Sequence, residues 1–299
     1  LKNLLKCGKI KKKPKELIMA IFENKQDKTF TLYTDNTMYQ MKVDGYGVLL
    51  HTYYGKRMDY TDMSYSAWTG GTPFSANPPD YCGDCYSHNH VPQELSVTGI
   101  GDFRINALAL RNTDGSLAAD PRFHSAEVIK GKYSIPGLPA FYGEEGETLV
   151  VTLKDNLYDI YFHLYYGVFE KYDLITRALR VENKTDKEIK LERALSATLD
   201  LPNGTYDMVS FCGRHAQERL FERTHIKHSK TTVSSVRGAS SHMENPFVII
   251  ADRNANEEYG NAWGMALVYS GNFEITAETD LMDKTRAVIG INHENFNYG

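Results

Sequence analysis

Apolar and polar residues alternate along most of the chain beyond residue 28, and this alternation predicts strands. A period of two places every second side chain on the same face, so that one face of each strand can be buried. Segment 158–166 is a clear case, because apolar and polar side chains alternate along its length. The predicted strands are 29–33, 38–43, 48–54, 148–153, 160–166, 174–183, 189–198, 247–250, 263–269, 273–279 and 285–291.

Helical periodicity is scarce in this sequence. Segment 213–226 is the best helical candidate, although it is short and heavily charged. One short helix among so many strands excludes a fold built from repeated strand–helix–strand units. The pattern instead predicts an all-β fold, in which two large antiparallel sheets stack as a sandwich with at most one or two short helices.

The net charge of −4 is unevenly distributed along the chain. Residues 1–18 carry +6 and residues 19–299 carry −10. An acidic body argues against nucleic acid as a partner, because neutralising phosphates takes clustered Lys and Arg. The sequence has no apolar run long enough to span a membrane and no apolar signal-peptide core, so we expect a cytoplasmic protein without membrane contact.

The basic N-terminal segment 1–18 is interpreted as a translated leader. Lys15 and Glu16 can be encoded by a purine-rich ribosome-binding sequence placed shortly before Met19. We therefore expect Met19 to be the natural start, residues 1–18 to be disordered, and the folded domain to span 19–299.

Four cysteines, at positions 7, 82, 85 and 212, raise the possibility of a metal site. Cys82 and Cys85 have the spacing of zinc ligands, and His88 and His90 follow, but no second pair completes a tetrahedral set. Free thiols in a reducing compartment are the favoured interpretation. We predict neither a metal nor a cofactor.

Acidic residues occur close together at two places, Asp59 with Asp62 and Glu144 with Glu145. Such loop carboxylates are far more often solvated or paired with a cation than catalytic. The sequence contains no nucleophile elbow, phosphate-binding loop or dinucleotide-binding glycine pattern. Ser240, Ser241 and His242 are neighbours in the chain, and their side chains are expected to point apart. No catalytic residue is therefore assigned.

Segment 55–106 is long, irregular and rich in Gly, Pro, Asp, Asn and aromatic residues, which is typical of functional or interface-forming loops. Tyr and Trp faces can stack on sugars, while Asp, Asn and Arg bind hydroxyl groups. Packing in an interface is an equally good interpretation of Trp68. At the end of this segment, Asp102 and Arg104 are two residues apart on a predicted strand and are expected to form a structural ion pair.

Short blocks spread over residues 20–297 resemble, in order and spacing, the N-terminal region of bacterial alpha-galactosidases (melibiases) of glycoside hydrolase family 36. The sequence departs from the family at 83–87, where relatives often have an Asp-Arg pair. The blocks that carry the resemblance are 49–57, 62–65, 92–94, 101–104, 130–132, 137–140, 166–169, 175–177, 192–196, 237–242, 245–247, 268–273 and 289–292.

The resemblance implies a β-supersandwich of the galactose mutarotase type. In this family the two catalytic carboxylates lie on a (β/α)8 barrel, and the Lys-Trp-Asp nucleophile motif is absent here, since neither Trp68 nor Trp263 follows a lysine. The barrel is thus expected to be missing from this chain, and the chain alone to be inactive.

The resemblance further implies a parent enzyme that hydrolyses raffinose- or melibiose-type galactosides. Its expected partners are its own barrel, other copies in a homo-oligomer (tetramers in the family), and a galacto-oligosaccharide at the pocket rim. The residues expected at the rim or an interface are Arg57, Asp59, Asp62, Trp68, Phe74 and Asn77. A free-standing, lectin-like carbohydrate-binding module is the alternative, and an independent enzyme is a third, weaker one.

Overall fold

The computed structural model describes residues 20–67, 86–141 and 146–293. Within these ranges the regular structure is almost entirely β, apart from one-turn 3-10 helices at Ser64–Ser66 and Glu170–Tyr172. The strands are β1 (Ile21–Asn24), β2 (Thr29–Tyr33), β3 (Thr37–Val43), β4 (Leu49–Lys56), β5 (Leu108–Arg111), β6 (Pro121–Lys130), β7 (Glu147–Asp155), β8 (Ile160–Phe169), β9 (Leu174–Asn183), β10 (Lys190–Ala194), β11 (Ala197–Asn203), β12 (Tyr206–Arg214), β13 (Gln217–His225), β14 (Thr231–Ser235), β15 (Glu244–Asp252), β16 (Ala262–Ala266), β17 (Phe273–Thr279) and β18 (Lys284–Ile291).

Four antiparallel sheets of four strands build two layers, with a small β10-β5 sheet beside them. The first layer holds the sheets β1-β2-β3-β4 and β13-β12-β15-β16, and the Trp263 indole on β16 donates a hydrogen bond to the Tyr54 carbonyl on β4 across 3.1 Å. The second layer holds β6-β7-β8-β9 and β11-β18-β17-β14, with β9 beside β11. The predicted two-sheet antiparallel sandwich is thus confirmed.

The main core lies between the two layers and is a continuous apolar cluster, which is accompanied by two smaller clusters. Alternation explains it: along β8, Ile160, Phe162 and Leu164 are buried, and the residues between them are partly exposed. Across the layers, the Phe30 ring on β2 lies 6.0 Å from the Phe123 ring on β6. Burial of this apolar surface is the main favourable contribution to folding.

The predicted strands at 29–33, 174–183 and 273–279 match the structure to the residue. The predicted strand at 189–198 is wrong as a single strand, because the chain divides there into β10 and β11. Leu195 donates its backbone N–H to the Ala107 carbonyl and Ser196 donates to the Ile289 carbonyl, so the two halves pair in different sheets. Periodicity alone does not reveal such a change of partner.

The helix predicted at 213–226 is wrong, since β12 and β13 form a hairpin there. Ala216 turns the chain with a positive φ of 63°, and the Phe221 ring packs edge-on against Phe211 at 6.2 Å. Cross-strand pairing of this kind overrides the helical preference of Gln, Glu, Arg and Leu. The charged side chains on this segment belong to an exposed strand at the edge of its sheet.

Segment 86–107, expected to be part of a long irregular loop, is irregular but largely buried. Asp102 and Arg104 do not lie on a strand, yet the predicted ion pair is confirmed at 2.9 Å. Arg286 on β18 binds both Asp102 at 2.7 Å and Asp200 on β11 at 2.6 Å. Burial opposes ionisation, but the Arg286 and Arg104 guanidinium groups hold the pKa of Asp102 below its usual range.

A second buried network is centred on the Glu94 carboxylate. It accepts hydrogen bonds from the Tyr39 hydroxyl at 2.6 Å and the Tyr166 hydroxyl at 2.8 Å, lies 2.8 Å from His51 Nδ1, and pairs with Arg177 at 3.1 Å. Burial would raise the pKa of Glu94, but Arg177, His51 and Tyr39 outweigh it and hold that pKa below the usual range. The carboxylate therefore connects strands of both layers as an anion.

Replacing this charge is expected to destabilise the fold strongly. Glu94→Gln keeps the shape but leaves Arg177 charged, buried and without its carboxylate, so the free energy of unfolding should fall by about 3–5 kcal/mol at pH 7. Because the pKa of Glu94 is lowered on folding, the advantage of the native residue is complete above the unfolded pKa of about 4.3 and shrinks as pH falls through the folded pKa.

Denaturant titration of both proteins at pH 7 and pH 3 measures this effect. Glu192→Gln, which breaks the partly exposed pair with Arg111, is the control and should change stability much less. A Glu94→Gln protein as stable as the native one at pH 7 would contradict the assignment.

Candidate interaction site

The chain leaves β4 at Lys56 and runs over the outer face of the first layer as residues 57–67, here called the rim segment. It contains three of the residues singled out from the sequence: Arg57, Asp59 and Asp62. Its conformation is set by side chains of strands β2 and β3, because the segment itself has only one turn of helix.

Arg57 fixes the start of the rim segment. Its Nε donates to Asp59 Oδ1 at 2.6 Å, and its Nη1 donates to the Thr34 carbonyl at 2.6 Å. The guanidinium lies over the Tyr33 ring at 5.0 Å, a cation–π contact. The Tyr33 hydroxyl accepts a hydrogen bond from the Tyr60 backbone at 3.2 Å. Asp59 is therefore the partner of an arginine, as loop carboxylates usually are.

Gln40 fixes the middle of the rim segment. This buried side chain on β3 donates from Nε2 to the Thr61 carbonyl at 3.0 Å and accepts from the Met63 backbone N–H at 2.7 Å. The same Nε2 also donates to Thr31 Oγ1 at 2.9 Å. An amide that satisfies both a donor and an acceptor of a loop determines the backbone path, since a buried unpaired group is costly.

Asp62 closes the last turn of the rim segment. Its Oδ1 accepts a hydrogen bond from the Ser64 backbone at 2.8 Å, and Lys42 Nζ lies 3.9 Å from Oδ2. Partial burial works against ionisation, but the hydrogen bonds from Ser64 and the charge of Lys42 hold the pKa of Asp62 below its usual range. This carboxylate is ionised near neutral pH and about half exposed.

Two tyrosines project from the rim segment. Tyr60 is 70% exposed and sits at a positive φ of 58°, and Tyr65 is 80% exposed. Flat aromatic faces beside the Asp59 and Asp62 carboxylates form a surface that can stack on a sugar ring and accept hydrogen bonds from its hydroxyls. The same surface can pack against another polypeptide.

The structure brings Arg57, Asp59 and Asp62 together on one surface. Trp68, Phe74 and Asn77 lie outside the described residues. Sequence reasoning missed Gln40, whose only signal is a polar amide within a strand of otherwise well-buried residues. Of the other candidates, Cys82, Cys85, Glu144 and Glu145 also lie outside the described residues.

Of the two histidines considered as metal ligands in the sequence analysis, His88 is buried. Among the residues that the structure describes, neither of its ring nitrogens has a hydrogen-bond partner. Burial, with the nearby Arg122, lowers the pKa of His88, which keeps the ring neutral. In the parts of the chain that the structure describes, no three His, Cys, Asp or Glu side chains are grouped as metal ligands. The described residues also include no helix long and apolar enough to cross a membrane.

Comparison with known proteins gives consistent matches. The family model "Glycosyl hydrolase family 36 N-terminal domain" matches residues 47–299. The bifunctional alpha-galactosidase/sucrose kinase AgaSK of Mediterraneibacter gnavus is 43% identical over 94% of this chain and 30% of its own length. Alpha-galactosidase AgaA of Geobacillus stearothermophilus is 36% identical over 94% of this chain and 39% of its own length.

Solved structures agree in fold. The galactosidase domain of AgaSK superposes with a TM-score of 0.89 at 42% identity, covering 93% of this chain and 39% of that one. A doubly substituted AgaA of Geobacillus stearothermophilus in complex with raffinose superposes with a TM-score of 0.86 at 35% identity, covering 91% of this chain and 38% of that one. The present chain thus spans between 30% and 39% of the length of these relatives.

The role of Gln40 in holding the rim segment can be tested by proteolysis. Gln40→Ala removes both backbone contacts, so cleavage within 57–67 by a protease of broad specificity should accelerate at least tenfold, with a loss of about 1–3 kcal/mol in the free energy of unfolding. Gln26→Ala, in the exposed turn after β1, is the matched control and should leave both unchanged. Equal cleavage of all three proteins would contradict the role.

Proposed function

Because this chain belongs to the glycoside hydrolase family 36 N-terminal domain family, we propose that it is the non-catalytic N-terminal domain, residues 19–299, of a cytoplasmic alpha-galactosidase. Residues 1–18 are a translated leader in this proposal. The observation that carries it is the superposition on the galactosidase domain of AgaSK, where nearly the whole of this chain corresponds to 39% of that one. The hydrolysis of terminal galactosyl residues then belongs to a (β/α)8 barrel elsewhere in the enzyme.

The substrates we propose are raffinose- and melibiose-type galactosides. A doubly substituted AgaA of Geobacillus stearothermophilus, 35% identical to this chain, has been crystallised with raffinose. In our proposal the present domain supports the barrel and a homo-oligomer, and its rim segment borders the sugar pocket through Tyr60, Asp62 and Tyr65. The geometry supports this role, because the segment is fixed from below by Arg57 and Gln40 while its aromatic and acidic side chains project outward.

A free-standing carbohydrate-binding module is the second candidate. The exposed Tyr60 and Tyr65 rings beside two carboxylates favour it, since this combination suits a sugar ring and its hydroxyls. Binding of galactose or raffinose by the 299-residue chain alone, measured by calorimetry, would distinguish this candidate from a domain that acts only within a larger enzyme.

The parent enzyme can be tested directly. The native gene product, detected in source cells with an antibody against this chain, should have a mass more than twice 33.9 kDa and should hydrolyse p-nitrophenyl alpha-galactoside. The 299-residue chain should be inactive in the same assay. A native product of the present size would overturn the proposal, as would a longer product without activity.

The rim role is tested by substitution in the full-length enzyme. Asp62→Ala and Tyr65→Ala should each raise KM for raffinose about 5- to 30-fold, with a smaller effect on p-nitrophenyl alpha-galactoside, because a rim contact is worth about 1–2 kcal/mol in binding. Asp186→Ala and Tyr259→Ala, exposed and outside the rim segment, are the matched controls. Unchanged kinetics and assembly in both rim variants would refute the role.

A further inference from the structure

A stripe of rings crosses the outer face of the second layer along β8. Tyr161, His163 and Tyr165 alternate with buried residues of that strand, so their side chains lie on the outer face, where each is partly exposed. At one end the His124 ring packs edge-on against Tyr161 at 5.6 Å, and at the other end the Tyr133 ring lies 5.1 Å from Tyr165. We call these five side chains the aromatic stripe. The solvent face of a sheet is commonly polar, so the fold alone does not require rings at these positions.

A pocket of about 530 Å³ opens at the Tyr161 end of the stripe, between the start of β6 and the turn from β7 to β8. Its volume is in the range of small-molecule binding sites. The stripe continues into the pocket, because His124 belongs to both. The wall combines the ring of Tyr158 with the polar side chains of Arg122, His124, Lys154, Asn156 and Asp159.

The turn from β7 to β8 is held in one conformation by a buried carboxylate. Asp155 Oδ1 accepts hydrogen bonds from the backbone N–H groups of Leu157 and Tyr158, both at 2.9 Å. Its Oδ2 accepts from the Asp120 backbone N–H at 2.8 Å, which connects the turn to the residue before β6. The Asn156 amide donates to Asp120 Oδ2 at 3.2 Å. A wall that is already ordered binds a ligand at a lower entropic cost.

The arginine and the lysine of the pocket wall already have carboxylate partners. Arg122 Nε donates to Asp120 Oδ1 at 2.6 Å, and its Nη2 donates to Asp120 Oδ2 at 2.9 Å. Lys154 Nζ lies 3.0 Å from Asp159 Oδ1. A phosphate or carboxylate ligand would have to compete with these internal partners, and a cationic ligand would meet the same arginine and lysine. The charge pattern of the pocket therefore matches a neutral ligand.

Polar groups that can bind hydroxyls lie beside the aromatic rings. Asn156 and Asp159 are exposed. The ammonium groups of Lys154 and Lys184 lie 5.4 and 4.2 Å from the centre of the Tyr161 ring. Donors and acceptors next to a ring suit a sugar, because the C–H face of a pyranose packs on an aromatic ring while its hydroxyls form hydrogen bonds.

A polypeptide is a poorer match for this surface. The centre of a protein interface is depleted of charged residues and is mostly apolar. Here, six of the nine described residues that line the pocket are charged or polar, and Leu157, 75% exposed, is the one aliphatic residue among those nine. The lining therefore favours a sugar over a protein segment.

We propose that the aromatic stripe and the adjoining pocket bind a neutral oligosaccharide, with its sugar rings along the stripe and its hydroxyls at Asn156, Asp159 and Lys154. The site differs from the rim segment, which lies on the outer face of the first layer. It needs neither a catalytic residue nor a longer polypeptide, so it goes beyond the proposed function. A site of this kind holds a sugar chain on the domain independently of any active site.

Isothermal titration of the 299-residue chain with stachyose, a neutral tetrasaccharide, tests the inference. The chain should bind it with a Kd of about 1 mM or tighter, and this Kd should not change with salt because the ligand is uncharged. Asn156→Ala and Tyr161→Ala should each raise the Kd about tenfold or more. Because Asn156 is exposed in a turn, its substitution tests the site even if Tyr161→Ala destabilises β8. Asn256→Ala and Tyr259→Ala, in an exposed loop after β15, are the matched controls and should leave the Kd unchanged.

Three results would overturn the inference. The first is a Kd weaker than about 10 mM for the native chain, or binding that is unchanged in both Asn156→Ala and Tyr161→Ala. The second is binding that is lost in Tyr65→Ala instead, which would place the sugar at the rim segment. The third is a Kd that weakens steeply with salt or on addition of inorganic phosphate, which would indicate an anion site. A full-length enzyme without galactosidase activity would refute the proposed function and leave this inference standing.

Discussion

Side chains from four strands donate hydrogen bonds to the Glu94 carboxylate or form ion pairs with it. The two layers depend on this carboxylate for their alignment. Tyr39 and His51 reach it from β3 and β4 in the first layer, whereas Tyr166 and Arg177 reach it from β8 and β9 in the second. A buried anion tolerates little change in geometry, because any partner that moves away leaves a charge without compensation. Apolar packing brings the layers together, and this network sets their relative position.

The same strand connects the network to the rim segment. On β3, the Tyr39 side chain points to Glu94 in the interior, and the next residue, Gln40, holds the rim segment on the outside. Successive side chains of a strand point to opposite faces, so one dipeptide serves the interior and the exterior. The position of the rim segment is therefore fixed relative to the core, as our proposal that it borders a sugar pocket requires.

The sequence pattern predicts much of this fold, and the predictions that are wrong have identifiable physical reasons. Period-two alternation places most of the long strands, because alternation reports burial on one face. It fails at 213–226, where local helical preference yields to pairing with β12, and at 189–198, where the chain changes sheets at Leu195. The buried networks cannot be predicted from local sequence, because Glu94 and Arg177 lie far apart in the chain. At the site, the family resemblance singled out Arg57, Asp59 and Asp62, but the one signal of Gln40, a polar amide within a buried strand, does not reveal which loop it contacts.

The electrostatics of the domain bear on the proposed division of roles between this domain and a catalytic barrel. A general acid in a glycosidase needs a pKa raised towards neutrality, so that it holds a proton to donate to the leaving group. Three buried carboxylates have the opposite shift, because arginines outweigh the effect of burial and lower the pKa of Glu94, Asp102 and Asp200. On the surface, Asp59 is paired with Arg57, and the pKa of Asp62 is lowered as well. The carboxylates whose pKa values are lowered are kept ionised by structural contacts, as we expect under our proposal that another part of the enzyme supplies the acid.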